Sequence, residues 1–164
     1  MVNKSKAEDY LSKIPSIKGI SGVRFFEGQK SLLNLFCLPT HINRIDNIKS
    51  LMDWDSLFIY LNLSDITEKF RDPRIKLRIK LRIIRKRERS KWIVKEYDKE
   101  ELREKRFLAD DFDLSSCFMI FGNYVSIFTI VGKPYGVLIE NEYYRKTLDS
   151  IFENLWELSE KPIQ

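Results

Sequence analysis

Phe118-Met119-Ile120-Phe121-Gly122-Asn123-Tyr124-Val125-Ser126-Ile127-Phe128-Thr129-Ile130 is the stretch whose reading decides the fold. Two apolar runs flank a two-residue loop with glycine first, the pattern of a type II′ β-hairpin. Gly132-Lys133-Pro134-Tyr135-Gly136 reverses the chain again, and Val137-Leu138-Ile139 supplies a further strand. These runs are apolar at nearly every position, so cover is expected on both faces. The cover follows directly. Asn141 is placed to cap a helix carrying Leu148, Ile151, Phe152, Leu155 and Trp156. That spacing is the apolar stripe of an amphipathic helix. Lys161 suits its carboxyl end and Pro162 stops it.

Upstream, strands and helices alternate. Gly22 to Phe26 reads as a strand, Gln29 to Leu38 as a helix stopped at Pro39, and Ile45 to Met52 as a second strand. Asp53 or Asp55 can cap the next helix, with Leu63, Ile66 and Phe70 on one face and Arg71-Asp72-Pro73 at its end. Ile75 to Ile83 alternates aliphatic and basic residues strictly, which predicts a strand with two chemically distinct faces. Ser90 to Leu102 reads as a short helix anchored by Trp92, Ile93 and Tyr97, and Arg106-Phe107-Leu108 as a strand. This order predicts an α/β fold with a mixed, partly parallel sheet flanked by helices. Residues 20–164 make one domain, preceded by a polar linker remnant at 1–19.

Several segments resemble the effector domain of TrmB-like transcriptional regulators. Ile120-Phe121-Gly122-Asn123-Tyr124-Val125 is similar to its strand-turn-strand. Gly136-Val137-Leu138-Ile139-Glu140, then a helix ending Phe152-Glu153-Asn154-Leu155-Trp156-Glu157-Leu158, continues the match. Val23-Arg24-Phe25-Phe26-Glu27-Gly28 resembles the opening of that domain, and Lys99 to Leu108 the segment before its last strands. The resemblance spans about residues 22 to 160. It implies a phospholipase-D-like fold, work as a homodimer or beside a separate DNA-binding protein, and a sugar-like small-molecule effector. The family's ligand contacts on its last strand fall here on Gly136, Leu138, Ile139 and Glu140. Glu140 has an alternative use, favouring the amino end of the helix that follows. The family's winged helix-turn-helix has no counterpart in these residues.

Composition bounds the function. The chain has 164 residues, 43% hydrophobic and 32% charged, within the range of one globular domain. No apolar run reaches the roughly 18 to 20 residues of a membrane span. Met1 to Lys6 is not followed by an apolar signal core, so a cytoplasmic protein without membrane partners is expected. Cys37 and Cys117 lack metal-site spacing and read as reduced thiols. No cofactor or metal is expected.

The net charge of +5 is uneven: residues 71–91 hold eleven Lys or Arg and two acids, and the remainder is net acidic. Arg74, Lys76, Arg78, Lys80 and Arg82, continued by Arg85, Lys86, Arg87 and Arg89, form a candidate contact stripe for nucleic acid or an acidic partner. The same cations suit a protected edge strand, or pairing with Glu96, Asp98, Glu100 and Glu101.

Catalysis finds little support in the residues. A phospholipase-D-type site needs His-x-Lys-x-x-x-x-Asp, with histidine attacking phosphorus and lysine holding the oxyanion. Asn43 and Ile48 stand where that motif requires Lys and Asp after His41, the single histidine. Asp110-Asp111-Phe112-Asp113 lacks the glycine and distal glutamate of a calcium loop and reads as a solvated turn. The sequence thus favours a non-catalytic effector-sensing and dimerisation domain. A non-specific nucleic-acid module and a degenerate hydrolase are the alternatives.

Overall fold

The computed structural model describes residues 9–10, 12–13, 17–18, 22–87, 98–129 and 132–162. Among the described residues, eight strands form one sheet in the order β1-β2-β8-β7-β6-β3-β4-β5. They are β1 (Ile17–Lys18), β2 (Val23–Glu27), β3 (Asn47–Leu51), β4 (Lys80–Arg85), β5 (Arg103–Phe107), β6 (Ser116–Phe121), β7 (Tyr124–Thr129) and β8 (Tyr135–Glu140). β3, β4 and β5 run parallel, and every other pairing is antiparallel. The sheet is therefore mixed and partly parallel, as the alternation of elements predicts. β1 lies within the stretch read as linker, and pairs with β2 through Ile17 and Phe25.

One face carries the larger core. Helix α1 (Gln29–Cys37) buries Leu32, Leu35 and Phe36 against Phe26, Phe128 and Leu138. Gly136 lets it sit close, because a Cβ there would meet Leu35 Cδ2 at 2.5 Å and Leu32 Cδ2 at 2.9 Å. Helix α2 (Trp54–Tyr60) is capped by Asp53, whose carboxylate accepts from the Ser56 amide at 3.4 Å and its hydroxyl at 2.8 Å. The next helix, α3, runs through Leu63–Ile66, a wider π turn Thr67–Arg71, and Asp72–Lys76. Arg71-Asp72-Pro73, read as its end, lies inside it. Proline lacks an N–H and crowds the carbonyl four residues back, and the wider turn accommodates both.

The predicted strand at 75–83 is corrected in the same place. Arg74 and Lys76 belong to α3, and the strand begins only at Lys80. Two interactions end the helix there. The Arg78 amide donates to Ile75 O at 2.9 Å and the Ile79 amide to Arg74 O at 3.0 Å, with Arg78 at φ 58°. That is a Schellman cap with arginine in the left-handed position where glycine is usual. The buried Arg74 guanidinium donates to Ile79 O at 2.7 Å and Glu101 O at 2.6 Å. It ties the helix end to the strand start. The expected helix at 90–102 falls mostly outside the described residues; 98–102 form turns.

The other face carries a smaller core under the closing helix α4 (Glu142–Leu158). Asn141 caps it, accepting from the Tyr144 amide at 2.9 Å. Phe152 and Trp156 are buried against Leu51, Ile84, Ile120 and Val125. Leu148 and Leu155 are half-buried, but Ile151 is 45% exposed, outside the buried part of its stripe. Asp149 and Glu153 turn toward β3 and β4, where they pair with Lys49 and Arg82. Helical geometry then puts Tyr144, Leu148, Ile151 and Leu155 on the opposite flank. The row Phe25, Val137, Ile127 and Phe118 crosses this face of four strands. Phe25 is 43% exposed and Val137 and Ile127 are half-buried, so cover of this face stops short of β8 and β2. No described helix is long and apolar enough to cross a membrane.

Candidate ligand and nucleic-acid surfaces

The four residues carried over as ligand contacts do not converge. Gly136 and Leu138 face α1 and are buried in its packing. Ile139 lies on the opposite face, paired with Val23 and Val125. Glu140 is exposed at the strand end, and its amide donates to Gly22 O at 2.7 Å. The glycine thus serves helix–sheet packing, and alternation along β8 separates its neighbours.

The basic stripe is dispersed as well. Lys76 is exposed on the last turn of α3, Arg78 is exposed in the cap that follows, and Lys80 is exposed at the start of β4. Arg82 faces α4 rather than solvent. Its guanidinium bonds both Glu153 oxygens, at 2.7 and 3.1 Å, and lies 4.2 Å from the Trp156 ring centroid. These contacts hold the Glu153 carboxyl down at about 2, with the Arg82 hydrogen bond the largest cause and Lys49 adding to it. Arg85 is buried, and its Nε donates to Lys86 O at 3.4 Å. Lys86 is half-buried. Arg87 pairs with Glu160 and covers the Phe107 ring. Arg89 lies outside the described residues. Alternation in the sequence places the cations, but Glu153 on α4 and Glu160 engage two of them, Arg82 and Arg87.

A different cationic surface emerges at the amino ends of the parallel strands. Three cavities lie there side by side. One of about 560 Å³ is lined by Tyr10, Thr40, His41, Asn43, Arg44 and Asp46. The next, of about 270 Å³, shares Arg44 and Asp46 and adds Lys49, Gly122, Arg145 and Asp149. The third, of about 620 Å³, shares Lys49 and reaches Lys80, Arg82, Lys99, Arg103 and Glu104. Among the described residues, no side-chain hydrogen bond or ion pair engages Arg44, Arg78, Lys80, Lys99 or Arg145. Sequence reading missed Arg44, Lys99 and Arg145. They are about a hundred positions apart at the extremes, and no local pattern joins them.

The nucleophile candidates are quiet. Burial pushes both Cys37 and Cys117 thiols up to about 12, and Cys117 Sγ accepts from the Asp53 amide at 3.3 Å. His41 ends a 3-10 turn and stacks on Tyr10, ring centroids 4.0 Å apart. Partial burial lowers its pKa below the ordinary histidine value. Asp110, Asp111 and Asp113 are exposed on a turn between β5 and β6.

Among solved structures, this architecture matches TrmBL2, an archaeal chromatin protein whose structure shows a novel mode of DNA binding. The TM-score is 0.58 at 22% identity over 97% of this chain. The chain has a TrmB-like fold. It spans 62% of the length of TrmBL2. NucT from Helicobacter pylori is also similar, with a TM-score of 0.62 and 13% identity, covering 85% of this chain and 98% of that one. No family model matches the sequence, and no curated protein is recognisably similar to it.

Proposed function

We propose that this chain is a non-catalytic, effector-sensing regulatory domain that pairs with a second copy of itself. The observation that carries the reading is the uncovered apolar face. Phe25, Val137 and Ile127 on the sheet continue into Tyr144 and Ile151 on the outer flank of α4, and Phe25, Tyr144 and Ile151 are each more than 40% exposed. A patch built from these uncharged side chains suits a two-fold contact, which places the same patch on both partners. The buried, protonated thiols and the lone His41, stacked on Tyr10 with no Lys-Asp set following it, support a non-catalytic role. Sedimentation velocity tests the pairing. The wild type is expected as a dimer at tens of micromolar, roughly the range of a weak specific contact. Phe25→Glu with Ile151→Glu is expected as a folded monomer. A monomeric wild type that instead captures a separate DNA-binding protein through this face sinks the self-pairing.

A second reading rests on the unpaired cations at the amino ends of β3 and β4. The DNA binding of the similar TrmBL2 makes nucleic-acid contact a matching role for them. Such contact reads phosphates and not bases. Replacing Arg78, Lys80 and Lys99 with Gln is then expected to flatten the salt dependence of duplex binding by about two to three units. An unchanged slope rejects that surface.

A further inference from the structure

We propose that the cavity of about 270 Å³ between the approach to β3 and the first turns of α4 binds the phosphoryl group of a small phosphate ester. The charge arrangement on its walls is the first argument. Of the two carboxylates on its walls, Asp149 is already engaged by Lys49 at 2.5 Å, with Lys49 also meeting Glu153 at 2.6 Å, and Asp46 is shared with the neighbouring cavity. Neither guanidinium on the cavity, Arg44 or Arg145, forms an ion pair with a carboxylate among the described residues; the Glu142 carboxyl, lowered chiefly by its hydrogen bond with Lys146, feels Arg145 only through its field. Arg145 Nε is buried and lacks any acceptor. A buried donor without an acceptor is unfavourable, and an oxyanion entering the cavity relieves it. Planar guanidinium forks match phosphate oxygens in pairs, whereas a neutral hydroxyl offers them one weaker acceptor.

The backbone supports the same assignment. Arg44 adopts φ 63°, a left-handed conformation uncommon for a residue with a side chain, and this places it on the walls of two cavities at once. The smaller cavity holds the space of roughly nine water molecules, more than a bare phosphoryl group fills. The larger neighbour of about 560 Å³ adjoins it across Arg44, Ile45 and Asp46. Thr40, Asn43 and Asp46 offer donors and acceptors there, beside the stacked Tyr10–His41 pair. A phosphate monoester with a hydroxyl-rich body fits both compartments: phosphoryl group at Arg44 and Arg145, body in the larger space. This assignment rests on the sensing reading for its regulatory meaning, while the binding itself stands or falls alone.

Isothermal titration calorimetry of the full chain at constant ionic strength tests it, with inorganic phosphate, glucose 6-phosphate, glucose and a short DNA duplex as titrants. Saturable heat is expected with inorganic phosphate, with affinity about tenfold higher for glucose 6-phosphate and no saturable heat for glucose. Arg44→Gln, at an exposed loop position, and Arg145→Gln should each abolish the phosphate signal, while Arg78→Gln keeps it. Far-UV circular dichroism confirms the fold of each variant. Absence of saturable phosphate heat overturns the site, as does heat that survives both substitutions. Binding of the duplex alone, lost in the same variants, also overturns it and assigns the arginines to nucleic acid. Dimerisation by sedimentation is unaffected by any of these outcomes, so failure of this site is separable from failure of the pairing.

Discussion

Arg82 is held by Glu153 and covered by Trp156: both terminal nitrogens bond one carboxylate while the guanidinium carbon lies 4.2 Å from the indole centroid. One cation on β4 thereby fixes the position of α4. The contact has a definite pH dependence. The Glu153 carboxyl titrates near 2, below the ordinary glutamate value of about 4.3, so its folded-state pKa is depressed. The stability it contributes is full above the ordinary value and is lost as pH falls toward 2. Glu153 is 42% exposed, which limits the pair to about 1 kcal/mol. Urea melts of wild type and Glu153→Gln should differ by about that much at pH 6 and converge near pH 2 to 3. A difference that stays constant across this range means that hydrogen bonding to the neutral acid, or packing, carries the contact.

Trp156 is 4% exposed, stacks on Phe152 with centroids 5.7 Å apart, and lies under Arg82 and Arg106. Trp156→Ala is expected to cost about 3 to 5 kcal/mol in denaturant melts. A loss below about 1 kcal/mol would show α4 detached from the sheet in solution.

The Schellman cap at the end of α3 predicts a gain. Arg78 carries a side chain at φ 58°, where glycine is unstrained, and its side chain makes no hydrogen bond or ion pair among the described residues. Arg78→Gly should stabilise the protein by about 1 kcal/mol, read as a higher denaturation midpoint at unchanged slope. Destabilisation would show that the Arg78 side chain is used elsewhere in the assembly.

Cys37 is 2% exposed and Cys117 is fully buried, and both thiols are pushed to about 12. A thiol-reactive dye at pH 8 should label neither residue in the native protein and both in denaturant. Rapid native labelling of Cys117 would place an opening motion at the junction of β6 with Asp53.

The sequence by itself determined the elements that rest on local signals. Gly122-Asn123 forms the expected hairpin, with a positive φ of 53° at the first of its two residues only, as a type II′ turn requires. Asn141 and Asp53 cap the helices they precede. Periodicity places Phe152 and Trp156 in the core, and the strand-helix alternation carries the mixed sheet. Turn and cap geometry depend on a few adjacent residues, so they are legible in order along the chain.

Tertiary structure decided the rest. The run Ile75 to Ile83 satisfies a strand period, yet Arg74 bonds Ile79 O and Glu101 O and holds its first residues in the end and cap of a helix. Pro73 marks a helix end locally, but the wider turn before it absorbs the missing donor. Arg82 of the stripe is taken by Glu153 on α4, 71 residues away. Arg44 and Arg145 reach one cavity only because β3 and α4 meet at the same end of the sheet. Long-range pairing and burial fix which charges stay free, and no local pattern in the sequence encodes either.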